Sequence, residues 1–316
     1  MMWVMGSDNW IKYGWGDELS SDWTPNIPLV IDCTSFDTTN LTNDAITAAT
    51  EAVIEITKTY PGPYTLMCSG GIDSQSMIWS WHKAGVDFNI VSVRYISDGI
   101  FFNDYDLVQL DEFCTKYGFT IQYKDFDLIN FLEVDLPDVA IKYDCDSPQI
   151  STHIQMSRMI DTGTVLYSGN FLQPIGILLG YTLLGLHRYA ESNPVPIKVI
   201  PYFFLHTAKL AHAFLNTWHD LYTPNADNMP EKVYKAAGFP VISQNGKFNG
   251  FEKIKKYYDN DKYRERVKPI DRLRFATKNS KRTFDLLFRY PYEGPGICKA
   301  TMTSVQRNNF KRGYHE

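Results

Sequence analysis

The chain has 316 residues, of which 31 are Lys or Arg and 36 are Asp or Glu, so its formal net charge is −5. Hydrophobic residues make up 44% and aromatic residues 15%, a composition that excludes disordered, collagen-like and coiled-coil proteins. The longest mostly apolar run, Ile175–Leu186, is too short to cross a bilayer. Met1–Trp10 lacks a basic start followed by a long apolar stretch, so no secretory signal is expected.

Cysteine and histidine patterns argue against a zinc site or a dithiol redox site. The five cysteines are widely spaced and form no CxxC pair, which argues against a zinc ribbon or a dithiol redox site. His206, His212 and His219 are spaced by six and seven residues, so they give no i, i+4 ligand pair, and we predict no zinc. A reduced, cytoplasmic location fits this cysteine usage best.

Charge is distributed unevenly along the chain. Residues 247–282 contain 13 Lys or Arg and 5 Asp or Glu, whereas the whole chain is acidic. A basic segment on an acidic protein is typical of a polyanionic partner, of a phosphate-rich substrate, or simply of a solvated helical face. The charge pattern alone leaves these three interpretations open.

In chain order, the first predicted unit is an N-terminal extension, residues 1–44. Within it, Val30–Cys33 predicts a short strand. Thr42 or Asn43 is then expected to cap a helix, because an apolar stripe follows. The helix should end at Pro61-Gly62-Pro63, since proline removes a backbone donor and restricts the residue before it.

A regular alternation of strands and helices follows, and it predicts the fold class. Short glycine-bearing turns separate the elements, which favours a Rossmann-like parallel sheet with helices on both faces. Ligands of such sheets bind at the carboxyl ends of the strands, near a topological switch point. The predicted elements are strand Tyr64–Cys68, helix Ser74–Ala84, strand Phe88–Ile96, a helix from Asn103 to Gly118, strand Phe119–Tyr123, helix Pro148–Ile160 and strand Thr164–Ser168.

The pattern loosens after about residue 190, where Asn193-Pro194-Val195-Pro196 interrupts the chain. Phe203–Trp218 is predicted to be helical. We therefore expect an α/β domain at 45–190 and a mainly helical C-terminal extension at 191–316 that packs on the sheet.

The most informative stretch is the turn Ser69-Gly70-Gly71-Ile72-Asp73-Ser74, which lies between an apolar strand and a helix. Two glycines allow a tight turn and close approach to a ligand. The following helix directs unpaired N–H groups and its positive end at the turn, and the two serines add hydroxyl donors, so the segment predicts a phosphate cradle. Asp73 is unusual beside phosphates, and it makes sense as a ligand of a bridging Mg²⁺.

This hexapeptide resembles the SGGxDS pyrophosphate-loop motif of the N-type ATP pyrophosphatases. That group includes asparagine, NAD, GMP and tRNA-lysidine synthetases. The other nucleotide-binding motifs, GxxxxGK[ST] and GxGxxG after a strand, are absent. The resemblance implies that Ser69, Gly70, Gly71, Ile72, Asp73 and Ser74 bind the phosphates of ATP.

A second match lies within the same group. Asp146-Ser147-Pro148 opens a helix, and a later strand ends in Ser168-Gly169-Asn170, an order similar to that of asparagine synthetase-like domains. Those domains continue with an Asp-Glu pair after this glycine, whereas this chain continues Asn170-Phe171. The resemblance covers residues 45–190 and implies that Ser168, Gly169 and Asn170 border the ATP site.

The resemblance implies an AMP-forming ligase or amidotransferase-like enzyme. A substrate carbonyl or carboxylate oxygen would attack the α-phosphate of ATP, and pyrophosphate would leave on the loop with Mg²⁺. The adenine would lie against Val91, Val93 and Arg94. Positive charge for the leaving pyrophosphate is expected from Lys278 and Lys281. No glutaminase domain is expected before the loop, so the nitrogen would come from ammonia, from an amine or from a separate subunit.

Two other functions remain open at this stage. The first is the same chemistry on a tRNA or DNA base, with residues 247–282 holding the nucleic acid. The second is a nucleotide-binding relative without turnover, because the Asp-Glu pair after Gly169 is missing. A catalytic cysteine pair for thiolation and a clustered cysteine zinc site are both absent from the sequence. The oligomeric state cannot be deduced from these patterns.

Overall fold

A computed structural model describes the chain over most of its length. The described residues are 3–7, 10–20, 27, 29–33, 44–143, 145, 147–169, 171, 179–192, 196–221, 229–243, 251–269, 286–289 and 300–301. Asn170, Lys278 and Lys281, which the sequence predicts to be site residues, lie outside this set.

The strands form two sheets. In chain order they are β1 Trp3–Met5, β2 Ile11–Trp15, β3 Leu29–Asp32, β4 Tyr64–Met67, β5 Asn89–Ser97, β6 Ile100–Phe101, β7 Ile121–Phe126, β8 Gly163–Tyr167, β9 Ile197–Ile200, β10 Leu286–Arg289 and β11 Ala300–Thr301. The larger sheet has the order β7-β5-β4-β8-β9 with all neighbours parallel, and β6 turns back antiparallel on the end of β5.

Helices occupy both faces of this sheet. In chain order they are α1 Ala45–Thr59, α2 Ile72–Ala84, α3 Asp104–Tyr117, α4 Leu128–Asn130, a π-helical turn Phe131–Asp135, α5 Leu136–Tyr143, α6 Pro148–Ser157, α7 Leu179–Ser192, a 3₁₀ turn Phe203–Leu205, α8 Ala208–Leu221, α9 Met229–Ala236 and α10 Phe251–Asp259. None of the described helices is long and apolar enough to cross a membrane.

Side chains of the larger sheet alternate between its two faces along each strand, so the sheet has a core layer on each face. Leu66 and Leu166 point to one face, where they pack with buried residues of α1, α2, α3 and α8. Met67 and Val165, one position away on the same strands, point to the other face and pack with α5, α6 and α7. The predicted fold class, a Rossmann-like parallel sheet covered on both faces with a mainly helical C-terminal part, is confirmed.

Local signals set several element boundaries. The α1 helix is capped by Asp44, one residue beyond the predicted caps, and its carboxylate accepts the N–H groups of Ile46 and Thr47. Gly85 and Gly118 end α2 and α3 in the left-handed conformation that glycine adopts most readily. The predicted stops at these two glycines are therefore confirmed.

The smaller sheet joins distant parts of the sequence. Its order is β1-β2-β3-β10-β11, and β3 runs parallel to β10, which lies more than 250 residues later in the chain. Strand β9 of the larger sheet also lies beyond residue 190. The division of the chain at residues 44 and 190 stays a prediction.

Candidate active site

The strand order places a ligand crevice next to the glycine turn. Counted in chain order, the parallel strands are arranged 3-2-1-4-5, so the order reverses between β4 and β8. Met67 pairs with Tyr167, so these two strands end at the same level. The Ser69–Ser74 turn follows β4, and Ser168-Gly169 follows β8. Open parallel sheets bind their ligands at this kind of switch point, outside the carboxyl ends of the strands.

Hydrogen bonds between the two serines shape the turn. The Ser69 N–H donates to the Ser74 hydroxyl at 3.2 Å, and the two hydroxyl oxygens lie 3.4 Å apart. The Gly71 N–H points at the Ser69 hydroxyl at 3.4 Å, which is long for a hydrogen bond. Because Gly71 is the N-cap of α2 and has no side chain, it cannot cap the first-turn N–H groups. These N–H groups can therefore donate hydrogen bonds to a bound anion.

The two glycines of the turn play different structural roles. A Cβ built on Gly70 would lie 1.5 Å from the backbone oxygen of Asp106 in α3, so this glycine permits close packing of the turn on α3. At Gly71 the nearest atom to a built Cβ is the Ser69 hydroxyl, at an ordinary 3.4 Å. Within the described structure, a Cβ at Gly71 would thus meet this hydroxyl and no backbone atom, on the turn where the sequence predicts phosphates.

Asp73 lies in the first turn of α2 and is partly buried. Its neighbour is Tyr234 of α9, which is fully buried among the rings of Phe171, Phe204 and Phe214. Burial first and then the Asp73 carboxylate raise the pKa of Tyr234 well above its ordinary value. Tyr234 therefore keeps its proton at neutral pH, and its hydroxyl lies near Asp73 without a hydrogen bond of normal geometry in the described structure.

Gln75 is a site residue that the sequence analysis missed. It is fully buried, and its Nε2 donates to the carbonyl of Gly70 at 2.9 Å and to that of Ile242 at 3.3 Å. Its Oε1 accepts the Ile242 N–H at 2.7 Å. In the sequence, Gln75 could be recognised only as a polar residue on the apolar face of a helix, directly after the SGGxDS motif.

The segment after β8 is held by the backbone conformation of Gly169 and by a backbone hydrogen bond of Ser168. Gly169 has a φ of +61°, and a Cβ there would lie 2.6 Å from the Tyr202 ring. The Ser168 carbonyl accepts the N–H of Phe204 at 3.3 Å. Ser168 and Gly169 are thus beside the switch point, as the resemblance implies. Their part in ATP binding stays a prediction.

The residues predicted to meet adenine lie within β5. The carbonyl of Val91 accepts the Cys68 N–H at 2.9 Å, and the carbonyl of Val93 accepts the Asn103 side chain at 2.8 Å. Arg94 pairs with Asp125 at 2.6 Å on the side of the sheet edge strand β7. β5 continues to Ser97, beyond the predicted end at Ile96. The adenine position stays a prediction.

The described part of the basic segment packs against the carboxyl end of β5. Arg266 pairs with Asp98 at 2.7 Å and with Glu133 at 2.9 Å, and Lys253 pairs with Asp104 at the start of α3. Asp98 and Gly99 form a turn with positive φ at both positions. The Tyr257 hydroxyl first and then Arg266 lower the pKa of Asp98. Several of the segment's positive charges are therefore neutralised by acids outside it.

The cysteine beside the turn is buried, and a Mg²⁺ at the turn would have few protein ligands. Burial raises the pKa of Cys68, which precedes the turn, so its thiol is protonated at neutral pH. Within the described ranges, no group of three or more His, Cys, Asp or Glu is placed to hold a metal ion. A Mg²⁺ that is held mainly by nucleotide phosphates needs only one or two carboxylates, and Asp73 fits that requirement.

Comparisons with known proteins give matches among solved structures only. No family model matches the chain, and no curated protein matches it. Among solved structures, the chain is similar to the U34-tRNA thiolase NcsA from Methanococcus maripaludis with its 4Fe-4S cluster. The two share 11% identity with a TM-score of 0.33, and the match covers 84% of this chain and 88% of that chain. The predicted likeness to asparagine synthetase-like domains stays a prediction.

Proposed function

We propose that the chain is an ATP-dependent enzyme that transfers AMP to a substrate oxygen and releases pyrophosphate. The observation that carries this proposal is the position of the Ser69–Ser74 turn. It lies at the switch point between β4 and β8, at the N-terminus of α2, whose N-cap Gly71 carries no side chain. An anion with several oxygens fits such a turn.

Positioning and charge neutralisation do most of the work in this reaction. The N–H groups at the start of α2 and the hydroxyls of Ser69 and Ser74 hold the β- and γ-phosphates. Asp73 would hold Mg²⁺, which would supply charge neutralisation on the phosphates, and the Tyr234 hydroxyl lies beside this carboxylate. Lys278 and Lys281 supply further positive charge to the leaving pyrophosphate. A carbonyl or carboxylate oxygen attacks the α-phosphate, and ammonia or an amine then displaces AMP, as in a ligase.

Product analysis with labelled ATP tests the proposal. ATP that is labelled at the α-phosphate should yield AMP, and ATP that is labelled at the γ-phosphate should yield pyrophosphate, in the presence of Mg²⁺ and a pool of candidate acceptors. The Asp73→Asn variant serves as the control for contaminating enzymes. Formation of ADP and inorganic phosphate by the wild type but not by the variant would contradict the proposal.

A nucleic-acid base is the second candidate for the acceptor. The observation that favours it is the set of exposed basic side chains beside the carboxyl end of β5, namely Lys255, Lys256, Lys262, Arg264 and Lys268. Binding of tRNA or single-stranded DNA should then weaken steeply as salt is raised, because bound counterions are released. If neither polyanion binds at low salt, the acceptor is a small molecule.

A further inference from the structure

One peptide group of the glycine turn is held by a side chain. The peptide between Gly70 and Gly71 is trans, so its C=O and N–H point in opposite directions. Gln75 binds the carbonyl of Gly70 on the buried side of the turn. The N–H of Gly71 must therefore point to the other side, toward the exposed Ser69.

The amide of Gln75 cannot easily turn over. Its Oε1 must face the Ile242 N–H, which needs an acceptor, and this leaves both Nε2 hydrogens for the carbonyls of Gly70 and Ile242. Because Gln75 is fully buried, water cannot replace these partners. The orientation of the amide is therefore set by the backbone of residue 242.

A peptide between two glycines has little conformational preference of its own. Glycine adopts positive and negative φ about equally well, so the Gly70–Gly71 peptide can flip at low cost unless something holds it. In the flipped orientation the Gly70 carbonyl oxygen would face the phosphate site and repel an anion. Gln75 binds this oxygen in the one orientation that keeps it away.

We propose that Gln75 is a positioning residue that fixes the Gly70–Gly71 peptide with its N–H toward the phosphate site. The same contacts make anion binding depend on the docking of residues 239–243 against α2. The expected loss of anion affinity rests on the proposed ATP site. The orientation of the peptide can be tested without any ligand.

The test uses the full chain with two substitutions. Gln75→Met has nearly the same length but cannot bind Gly70 or Ile242. Gln75→Leu also lacks a hydrogen-bonding group, and its shorter side chain serves if the Met variant does not fold. Tyr117→Phe is the matched control, because the Tyr117 hydroxyl contacts the same segment at the Pro240 carbonyl, at 3.4 Å, without touching the turn.

Two readouts separate this inference from the proposed function. Inorganic pyrophosphate with Mg²⁺, titrated by calorimetry, should bind about tenfold more weakly to the Gln75 variants than to wild type or Tyr117→Phe. Spectra of ¹⁵N-glycine-labelled protein without ligand should show a shifted or doubled Gly71 amide signal in the Gln75 variants only.

The outcomes are distinct. An unchanged Gly71 signal in a folded Gln75 variant would overturn the positioning role. Equal losses of affinity in the Gln75 variants and in Tyr117→Phe would also overturn it, because they would show a general effect of the segment. If wild type binds neither ATP nor pyrophosphate, the proposed function fails, and the glycine spectra still decide the role of Gln75.

Discussion

The backbone oxygen of Asp106 lies so close to Gly70 that a Cβ built on the glycine would be 1.5 Å away from it. This contact joins the turn after β4 to the first turn of α3, which follows the neighbouring strand β5. The glycine is therefore required by packing between two elements as well as by the turn itself. Its neighbour Gly71 has no such contact.

The two glycines should respond differently to alanine. Gly70→Ala places a methyl group against a backbone atom that cannot move away cheaply, so it should lower the free energy of unfolding by at least about 3 kcal/mol. Gly71→Ala is compatible with the local φ of −60° and should cost less than about 1 kcal/mol. Its methyl group should instead weaken ATP binding. Urea unfolding and calorimetric titration of both variants measure these effects, and equal stabilities would contradict the packing role of Gly70.

Asp73 and Tyr234 should act together on Mg²⁺. Asp73→Asn should abolish Mg²⁺-dependent AMP formation and leave the protein folded, because the carboxylate is the one acid of the turn. Tyr234→Phe removes the buried hydroxyl beside this carboxylate, and it should raise the Mg²⁺ concentration for half-maximal turnover about tenfold.

A matched control for Tyr234→Phe is available on the protein surface. The Tyr123 hydroxyl donates to Asp111 at 2.6 Å on an exposed face, so Tyr123→Phe removes a tyrosine hydroxyl beside an acid away from the turn. Turnover of this control at each Mg²⁺ concentration should match wild type. Wild-type Mg²⁺ dependence of Asp73→Asn would remove Asp73 from the site.

The elements around the turn could be predicted because their signals are local. Strand alternation, helix periodicity and the glycine stops at Gly85 and Gly118 all lie within a few residues of the boundaries that they define. The predicted strand Phe119–Tyr123 is the least accurate of these, since it lies at Ile121–Phe126. Pairing with β5 from Ile90 to Tyr95, rather than local sequence, sets that register.

Other features could not be predicted because they depend on distant residues. The parallel pairing of β3 with β10 and the place of β9 in the sheet leave no mark within either segment. The same holds for Gln75, whose partner Ile242 is 167 residues away. The SGGxDS motif located the turn, whereas the Ile242 backbone that orients Gln75 comes from the C-terminal part of the chain.

Stability should fall in mild acid because of His206. This side chain is 6% exposed and packs edge-on against the ring of Tyr60, and burial lowers its pKa to about 4. The unfolded chain, with a histidine pKa near 6.5, binds more protons between these values. The full contribution is therefore present above about pH 6.5 and is lost as the pH falls toward 4, by up to about 1.4 kcal/mol per pH unit.

The His206→Phe variant tests this assignment. Its ring can keep the contact with Tyr60, and within the described structure the Nε2 of His206 has no hydrogen-bond partner to lose. Urea unfolding at pH 7, 6 and 5 should show a smaller loss of stability in the variant than in wild type. Some loss will remain, because burial also lowers the pKa of His153 to about 4. Identical pH slopes for the two proteins would show that His206 is not the titrating group.

Lys278 and Lys281 are proposed to neutralise charge that grows on pyrophosphate as it leaves. An interaction that strengthens in the transition state lowers kcat when it is removed, with less effect on KM for ATP. Lys278→Ala and Lys281→Ala should therefore reduce kcat about tenfold or more, while KM changes less than about threefold.

Lys256→Ala is the matched control, since Lys256 is exposed on α10 in the same basic segment. If all three variants leave AMP formation on a small acceptor unchanged but reduce the salt dependence of nucleic-acid binding, the segment serves a polyanion instead. A rise in KM with unchanged kcat would place the two lysines in ground-state ATP binding and contradict the catalytic role.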